Sequence, residues 1–468
     1  MNLKKTLKYL SFFYFVILFS LLLTLVLDLE LCYPQSLNNL SIIKSFNLSN
    51  NGLHSALRSK PSAPKHITGS GTSTNPYVLY DAQDVDSIRY IGLNNKYYEL
   101  ANDIDLSSIT EFTPIPNDNT TGTFSLEGNG HTLYGLKQTT GLHSSSSGAY
   151  SLGMFAGKTQ GKFKVSNLLI DNFRINKTTV TNLTATYFSA ALFISIFSNT
   201  EIQLTNITIK NSSLRYSANP TIFPGLSFMG LLVGRANATG VAGKVSYVRN
   251  CLVEYDTISY VSTFVPNSGH WIGGIAGILS NGSGVISFEY NASRYNYFYS
   301  RTGSTSRKNV GGGLLGSLSL PPLTFSFNYS HSNVADFGSG GAPHHHPWGF
   351  GGIFGYTDVE NVHTFTQNYA ANNQCLGTNQ SGGFFAQDNS TISAQVIDST
   401  TNFCDITSFT EPNTVYGSVR YSASQYPSSK TSVQLKDINT FIGWDFTNTW
   451  AIDSTKNNGY PFLQSEDQ

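Results

Sequence analysis

MGLLVG (229–234), GGIAG (273–277), GGLLG (312–316) and GGIFG (351–355) are one phrase written four times: glycine, apolar residues, a small residue. LGMFAG (152–157) and GGFFA (382–386) extend the series, and LFISIF (192–197) fills its one wide gap in degenerate form. Anchored on Gly153, Ile194, Gly230, Gly274, Gly313, Gly352 and Gly383, the copies are 41, 36, 44, 39, 39 and 31 residues apart. A second segment follows each anchor, alternating apolar and polar residues and carrying Asn or Asp. VSNLLIDNFRI (165–175), LTNITIKNSSL (204–214), VISFEYNASRY (285–295) and VENVHTFTQNY (359–369) are examples. Two linked features repeating in step define a unit of about 40 residues, with short strands and no helical periodicity.

One such unit cannot bury its apolar face alone. Stacking the units pairs each strand with its equivalents above and below, about 4.8 Å away, and gathers the triplets into one internal column. The glycine before each triplet gives a tight turn or a close backbone approach. The pattern therefore predicts an all-β solenoid, a β-helix. A β-propeller has units of similar length, but closing a ring requires regular blades, and these spacings are unequal. Asn172, Asn211, Asn250, Asn291 and Asn328 end the second segments. They are read either as a stacked amide ladder or as ordinary turn residues.

Cysteines occur at 32, 251, 375 and 404. Cys251, Cys375 and Cys404 follow Gly230, Gly352 and Gly383 by 21, 23 and 21 residues. Equal places in adjacent units would set Cys375 and Cys404 about 5 Å apart at Cα, within disulfide range. The bond is expected, worth roughly 3 kcal/mol in the loop-entropy account; two buried thiols are the alternative. Cys251 has no partner in a neighbouring unit.

Charged residues make up 12% of the 468, against about 25% in soluble domains. Aromatics reach 13%, which excludes a disordered chain. The 28 basic and 28 acidic residues cancel, so no basic field exists to gather phosphates, and nucleic acid is not an expected partner. Lys4, Lys5 and Lys8 precede an apolar run from Tyr9 to Leu27, closed by Asp28 and Glu30. That layout predicts a secretory signal or a retained anchor long enough to span a bilayer. The small-x-small cleavage pattern is missing, which favours retention, with the lysines cytoplasmic and the rest exported. The expected organisation is a signal peptide or signal-anchor helix at 1–31 and a Ser/Asn-rich stalk at 32–66. An N-terminal cap with the first coils follows at 67–150, then β-helix repeats at 151–410 and a C-terminal cap at 411–468.

GSGTSTNPYVLY (69–80), YYELANDIDLSS (97–108), FSLEGNGHTLYGL (124–136) and the closing NNGYPFL (457–463) flank the glycine repeats. Together these segments, over roughly 67–463, resemble the GLUG-repeat, adhesin-like extracellular β-helix proteins. The resemblance implies a right-handed parallel β-helix, exposure at the cell surface and an adhesion-type role. It implies no catalytic residue set.

Asn-x-Ser/Thr acceptors stand at Asn39, Asn47, Asn119, Asn176, Asn182, Asn206, Asn211, Asn237, Asn281, Asn291, Asn328, Asn379 and Asn389. Glycoside hydrolysis needs two carboxyls across a cleft. Asp358 and Glu360 are the nearest to a pair, with Asp336, Asp398 and Asp405 in other units, and Arg294, Arg301 and Arg307 are not placed beside them by spacing. Three consecutive histidines, His344 to His346, alternate faces on an extended chain and make a poor metal site. No cofactor is expected. Tyr295, Tyr297, Phe298 and Tyr299 are read either as a contact patch or as a coil face packed on its own neighbour, and connections within 138–150, 215–228, 296–310 and 336–348 are further candidates for recognition. The expected function is binding, not catalysis, with an extracellular carbohydrate or cell-surface protein as partner and the membrane reached through the N-terminal helix. A polysaccharide lyase or glycoside hydrolase on the same scaffold is the competing reading.

Overall fold

The computed structural model describes residues 66–467, apart from 117, 140–142, 145–148, 159, 178–186, 219–225, 238–244, 263–268, 281–284, 303–308, 320–322, 338–347, 358–362, 377–379, 389–394, 398 and 406–426. The apolar run 9–27, the stalk, His344 to His346, Asp358, Glu360, Asp398 and Arg307 lie outside the described residues, as do the acceptors Asn39, Asn47, Asn182, Asn281, Asn379 and Asn389 and the side chain of Asn237. Residues 62–468 form one compact unit.

Within that unit the chain coils as an all-β parallel solenoid. One coil shows the plan. Leu226–Gly230 makes a first side, Val233–Asn237 a second, Val245–Glu254 a third and Thr257–Ser262 a fourth. The next coil repeats it with His270–Gly273, Ala276–Ser280, Val285–Glu289 continued by Ala292–Arg294, and Tyr297–Thr302. Each strand pairs in parallel with its equivalent above and below, as Phe228 with Trp271 and then Val310. Among the described residues the four sides are sheets of 8, 7, 17 and 7 strands. Alternation on the third side points Phe163, Leu204, Val248, Phe288, Phe325 and Phe365 inward, all buried, with the glycine-led triplets opposite them in one core.

The glycine phrase forms the corner between the first two sides. Its register differs by one residue from the spacing-based alignment. Gly230 pairs with Gly273, not Gly274, and the column continues through Gly312, Gly351 and Gly382. Ala191, not Ile194, is the equivalent residue in the degenerate copy. Gly274, Gly313, Gly352 and Gly383 form the next column. None of these glycines has a positive φ. They are required for space: a Cβ on Gly313 would lie 1.9 Å from Ser330 Oγ and 2.0 Å from the Gly352 carbonyl of the coil above. Because the second obstacle is backbone, Gly313→Ala is expected to lower stability by about 1–3 kcal/mol in urea unfolding.

Two bends mark the third side, one within it and one at its end, and each combines a left-handed residue with a buried polar one. At the first, Asn250, Tyr290, Phe327 and Gln367 have positive φ. The residues after them stack: the amides of Cys251, Asn291, Asn328 and Asn368 donate to Oδ1 of Asn291, Asn328, Asn368 and Asn402 at 2.9–3.1 Å. At the second, Asn172, Asn211, Tyr255, Tyr295, Ser332 and Asn372 are left-handed. Behind them, the amides of Ser212, Asp256, Asn296 and Asn333 donate to Asp256, Asn296, Asn333 and Asn373. There are thus two side-chain ladders. Of the five expected members, only Asn291 and Asn328 belong to one; Asn172, Asn211 and Asn250 are the left-handed residues beside them.

The first and last described segments pack on the solenoid in different ways. The helix α1, Ala82–Ile91, is N-capped by Asp81 and buries Ala82, Val85 and Ile88 against the first coils. At the other end, Leu435, Phe441, Trp444, Trp450, Tyr460 and Phe462 pack on the outer face of the third side, over Tyr329, Tyr369 and Phe403. Tyr329 and Tyr369 stack 5.1 Å apart, 2° from parallel.

Candidate ligand-binding face

The fourth side alternates strictly. Phe298 points inward and is fully buried, while Tyr297, Tyr299 and Arg301 point out. The Tyr297 and Tyr299 rings lie 6.4 Å apart, and the Arg301 guanidinium sits 4.8 Å over the Tyr299 ring. On the next coil, Asp336 takes Arg301 through two contacts, at 2.8 and 3.0 Å, and accepts the Tyr297 hydroxyl at 3.3 Å. Burial, then the Asp336 charge, pushes the Tyr297 phenol up to about 12. The face is thus an aromatic platform edged by a fixed cation, carboxylate and phenol, a set that can stack on a sugar ring and bond its hydroxyls. Of the four residues read from sequence as a patch, three belong to it and Phe298 belongs to the core.

The platform continues round the corner. Tyr255 and Tyr295 stack at 5.0 Å and 7°, and Tyr255 is 50% exposed. Their φ values are 56° and 57°. A large aromatic in this region is uncommon, and the conformation costs about 1–2 kcal/mol. In the two coils before them the same place holds Asn211 and Asn172, which tolerate it. Tyr290 and Phe327 take the same conformation where they pack beside the C-terminal segment, so the stacked ring pair, exposed at Tyr255, and not the backbone conformation sets this place apart. Sequence spacing missed Tyr255, because its pairing with Tyr295 depends on coil register.

Several carboxylates and bases near this face are committed to one another. Spacing left Asp336 without a base; the fold supplies Arg301 from the coil below. Arg294 joins Glu254 at 2.8 Å and Glu466 at 2.8 Å, and Glu466 also accepts the Tyr329 hydroxyl at 2.9 Å. Burial raises the Glu466 carboxyl against the pull of Arg294. Burial lowers His331 beside this cluster to about 3. The cluster ties the C-terminal segment to the third side. Asp405 is buried and accepts from Ser432. A cleft of about 220 Å³ beside Ile88, Arg89 and Pro116 is smaller than typical ligand pockets, about 300–1,000 Å³.

The expected Cys375–Cys404 disulfide is absent. Cys404 on the third side pairs with Ala370, while Cys375 on the fourth pairs with Ala335. From Gly352 to Ala370 is 18 residues and from Gly383 to Cys404 is 21, so equal counting joined positions on different sides. Burial pushes the Cys251 and Cys404 thiols up to about 12, which leaves them poor nucleophiles. Two glycosylation acceptors are also corrected. Asn291 and Asn328 are fully buried with their amides bonded within the ladder, so no glycan can be attached in the folded chain. Asn119, Asn176, Asn206 and Asn211 are exposed.

Among the described residues, no group of His, Cys, Asp and Glu is arranged to hold a metal ion, and no helix is long and apolar enough to cross a membrane. No family model matches the chain, and no curated protein matches it. A solved structure described as a "putative immunoglobulin A1 protease" from Bacteroides ovatus aligns over 85% of this chain and 94% of that one, at 17% identity and a TM-score of 0.43, a likeness too distant to carry an argument about activity.

Proposed function

We propose that this chain is a surface-exposed, non-enzymatic binding protein whose solenoid presents the Tyr255, Tyr295, Tyr297 and Tyr299 face to an extracellular glycan. The observation that carries the reading is the exposed tyrosine platform beside the fixed Arg301–Asp336 pair. Rigid aromatics give large contact area at low entropy cost, and the ion pair supplies hydroxyl partners in fixed positions. In this reading residues 1–31 export and anchor the chain, 32–66 hold it off the membrane, and the solenoid is a right-handed, GLUG-like adhesin scaffold. Exposed acceptors such as Asn119 and Asn176 would carry glycans where the host attaches them.

The test is a glycan array probed with residues 62–468, with reducing-sugar release followed in parallel. Binding without release is expected, and Tyr297→Ala combined with Tyr299→Ala lowers affinity at least about tenfold. Binding that survives both substitutions removes this face from the account. Sustained sugar release replaces the binding reading with the polysaccharide-active one.

A further inference from the structure

A second place on the solenoid lacks something the fold itself does not supply. Arg235 projects from the second side and reaches across the outer corner to the first. Its guanidinium lies 4.4 Å over the Tyr187 ring and 5.3 Å from the Phe228 ring. Above and below it the column is Ile196 and Ile278, both nearly buried. A cation has been put into an apolar column. Burial lowers its pKa, and the Tyr187 phenol is the group that counters this.

Three other arginines on the solenoid have carboxylates, whereas Arg174 donates to the Phe173 and Asn211 carbonyls. Arg249 reaches Glu289 at 2.9 Å, Arg294 reaches Glu254 at 2.8 Å and Arg301 reaches Asp336 at 2.8 Å. Among the described residues, Arg235 has none within ion-pair reach: its guanidinium meets the Tyr187 hydroxyl, and its Nε is buried with no hydrogen-bond partner. A half-buried cation without a counter-charge is costly unless something brings one. A second donor beside it is also unmet. Trp271 stacks on Phe228 at 5.3 Å and 20°, and its indole N–H has no partner. Buried indole N–H groups ordinarily find one. Two unmet donors therefore flank the same phenylalanine, at a corner walled by aromatic rings.

We infer that the Arg235–Trp271 corner is a binding site for a carboxylated sugar, such as a uronic acid, its carboxylate taken by Arg235 and its ring laid on the aromatic wall. The guanidinium prefers a carboxylate because the fork matches its two oxygens. The inference deepens the glycan-binding reading but concerns a different side of the solenoid. The two are separable by experiment.

The full-length chain is titrated with methyl glucuronide and with methyl glucoside, followed by NMR, with melting temperature recorded for every variant. Methyl glucuronide is expected to bind at least about tenfold more tightly than the neutral sugar. Arg235→Gln abolishes that preference, Arg235→Lys restores part of it, and Trp271→Phe, which keeps the ring, weakens binding about threefold. Tyr297→Ala leaves the uronate preference intact, so failure of the tyrosine face and failure of this site give different results. Equal binding of the two sugars, no binding of either, or a uronate preference that survives Arg235→Gln in a folded protein each overturns the inference. So does a glutamate-rich peptide that binds at Arg235 where the uronate does not.

Discussion

Replacing Asp256 with asparagine stabilises the solenoid by on the order of 3 kcal/mol at pH 7 and changes nothing below about pH 4. Asp256 occupies a rung where the coils above it use Asn296, Asn333 and Asn373. It is 1% exposed. Its Oδ1 accepts the Ser212 amide at 2.6 Å, but its Oδ2 has no partner. In the asparagine rungs that second atom is a donor: Asn296 Nδ2 gives its proton to the Val253 carbonyl at 3.0 Å. A carboxylate has no proton to give; a carboxylic acid does. Burial raises the Asp256 pKa well above its ordinary value, the Ser212 amide and Arg174 oppose that, and Glu254 and Asp171 add to it. The folded chain therefore binds a proton that the unfolded chain releases near pH 3.9. The stability this gives is complete below the unfolded value and is lost as pH rises through the folded one. Asparagine has no such slope, so the gain from Asp256→Asn opens above about pH 4 and grows towards neutrality. Urea unfolding of both proteins at pH 4 and pH 7 measures it. A difference that is the same at both pH values would show that Asp256 is not protonated in the rung.

Asn328→Ala produces the largest loss among these substitutions, about 3–5 kcal/mol. The Asn328 carboxamide accepts the Asn291 amide at 2.9 Å and the Asn291 side chain at 3.0 Å, and donates to the Phe288 carbonyl at 2.8 Å and to Asn368 at 3.1 Å. All of these groups are buried. Alanine takes these partners from the Asn291 backbone N–H and the Phe288 carbonyl, where water does not reach them, and Asn291 and Asn368 each lose one side-chain bond while keeping those to the Val248 carbonyl and the residue-328 amide. The expected readout is a fall in urea midpoint together with faster hydrogen exchange at Asn291 and Asn328, concentrated in the coils that share the rung. Asn328→Asp behaves as Asp256 does, tolerated in acid and destabilising at neutral pH. A midpoint unchanged by Asn328→Ala would mean the ladder contributes no stability.

Much of the architecture was legible because it is written repeatedly. The glycine-led triplets and alternating segments are local patterns, and alternation fixes which side chains face a core. Repetition of both at nearly constant spacing leaves stacking as the way to bury them. The platform was half legible: Tyr297 and Tyr299 stand out as a run, and period two sends Phe298 the other way. The helix α1 was not foreseen, because AQDVDSIRYI is short and lies in a segment read for its strands.

Fold class, the repeating unit and the inward-facing residues follow from the order of amino acids, since neighbours one and two residues away decide strand, turn and face. What sits above what does not follow, because connections of unequal length shift each coil against the last. Only the folded chain decides that Gly230 stands below Gly273, that Cys404 meets Ala370 and not Cys375, and that Arg301 finds Asp336 while Arg235 finds no carboxylate among the described residues. Those pairings are set by hydrogen bonds between coils about 40 residues apart, and a rise of about 4.8 Å per coil brings together groups that the sequence keeps far from one another.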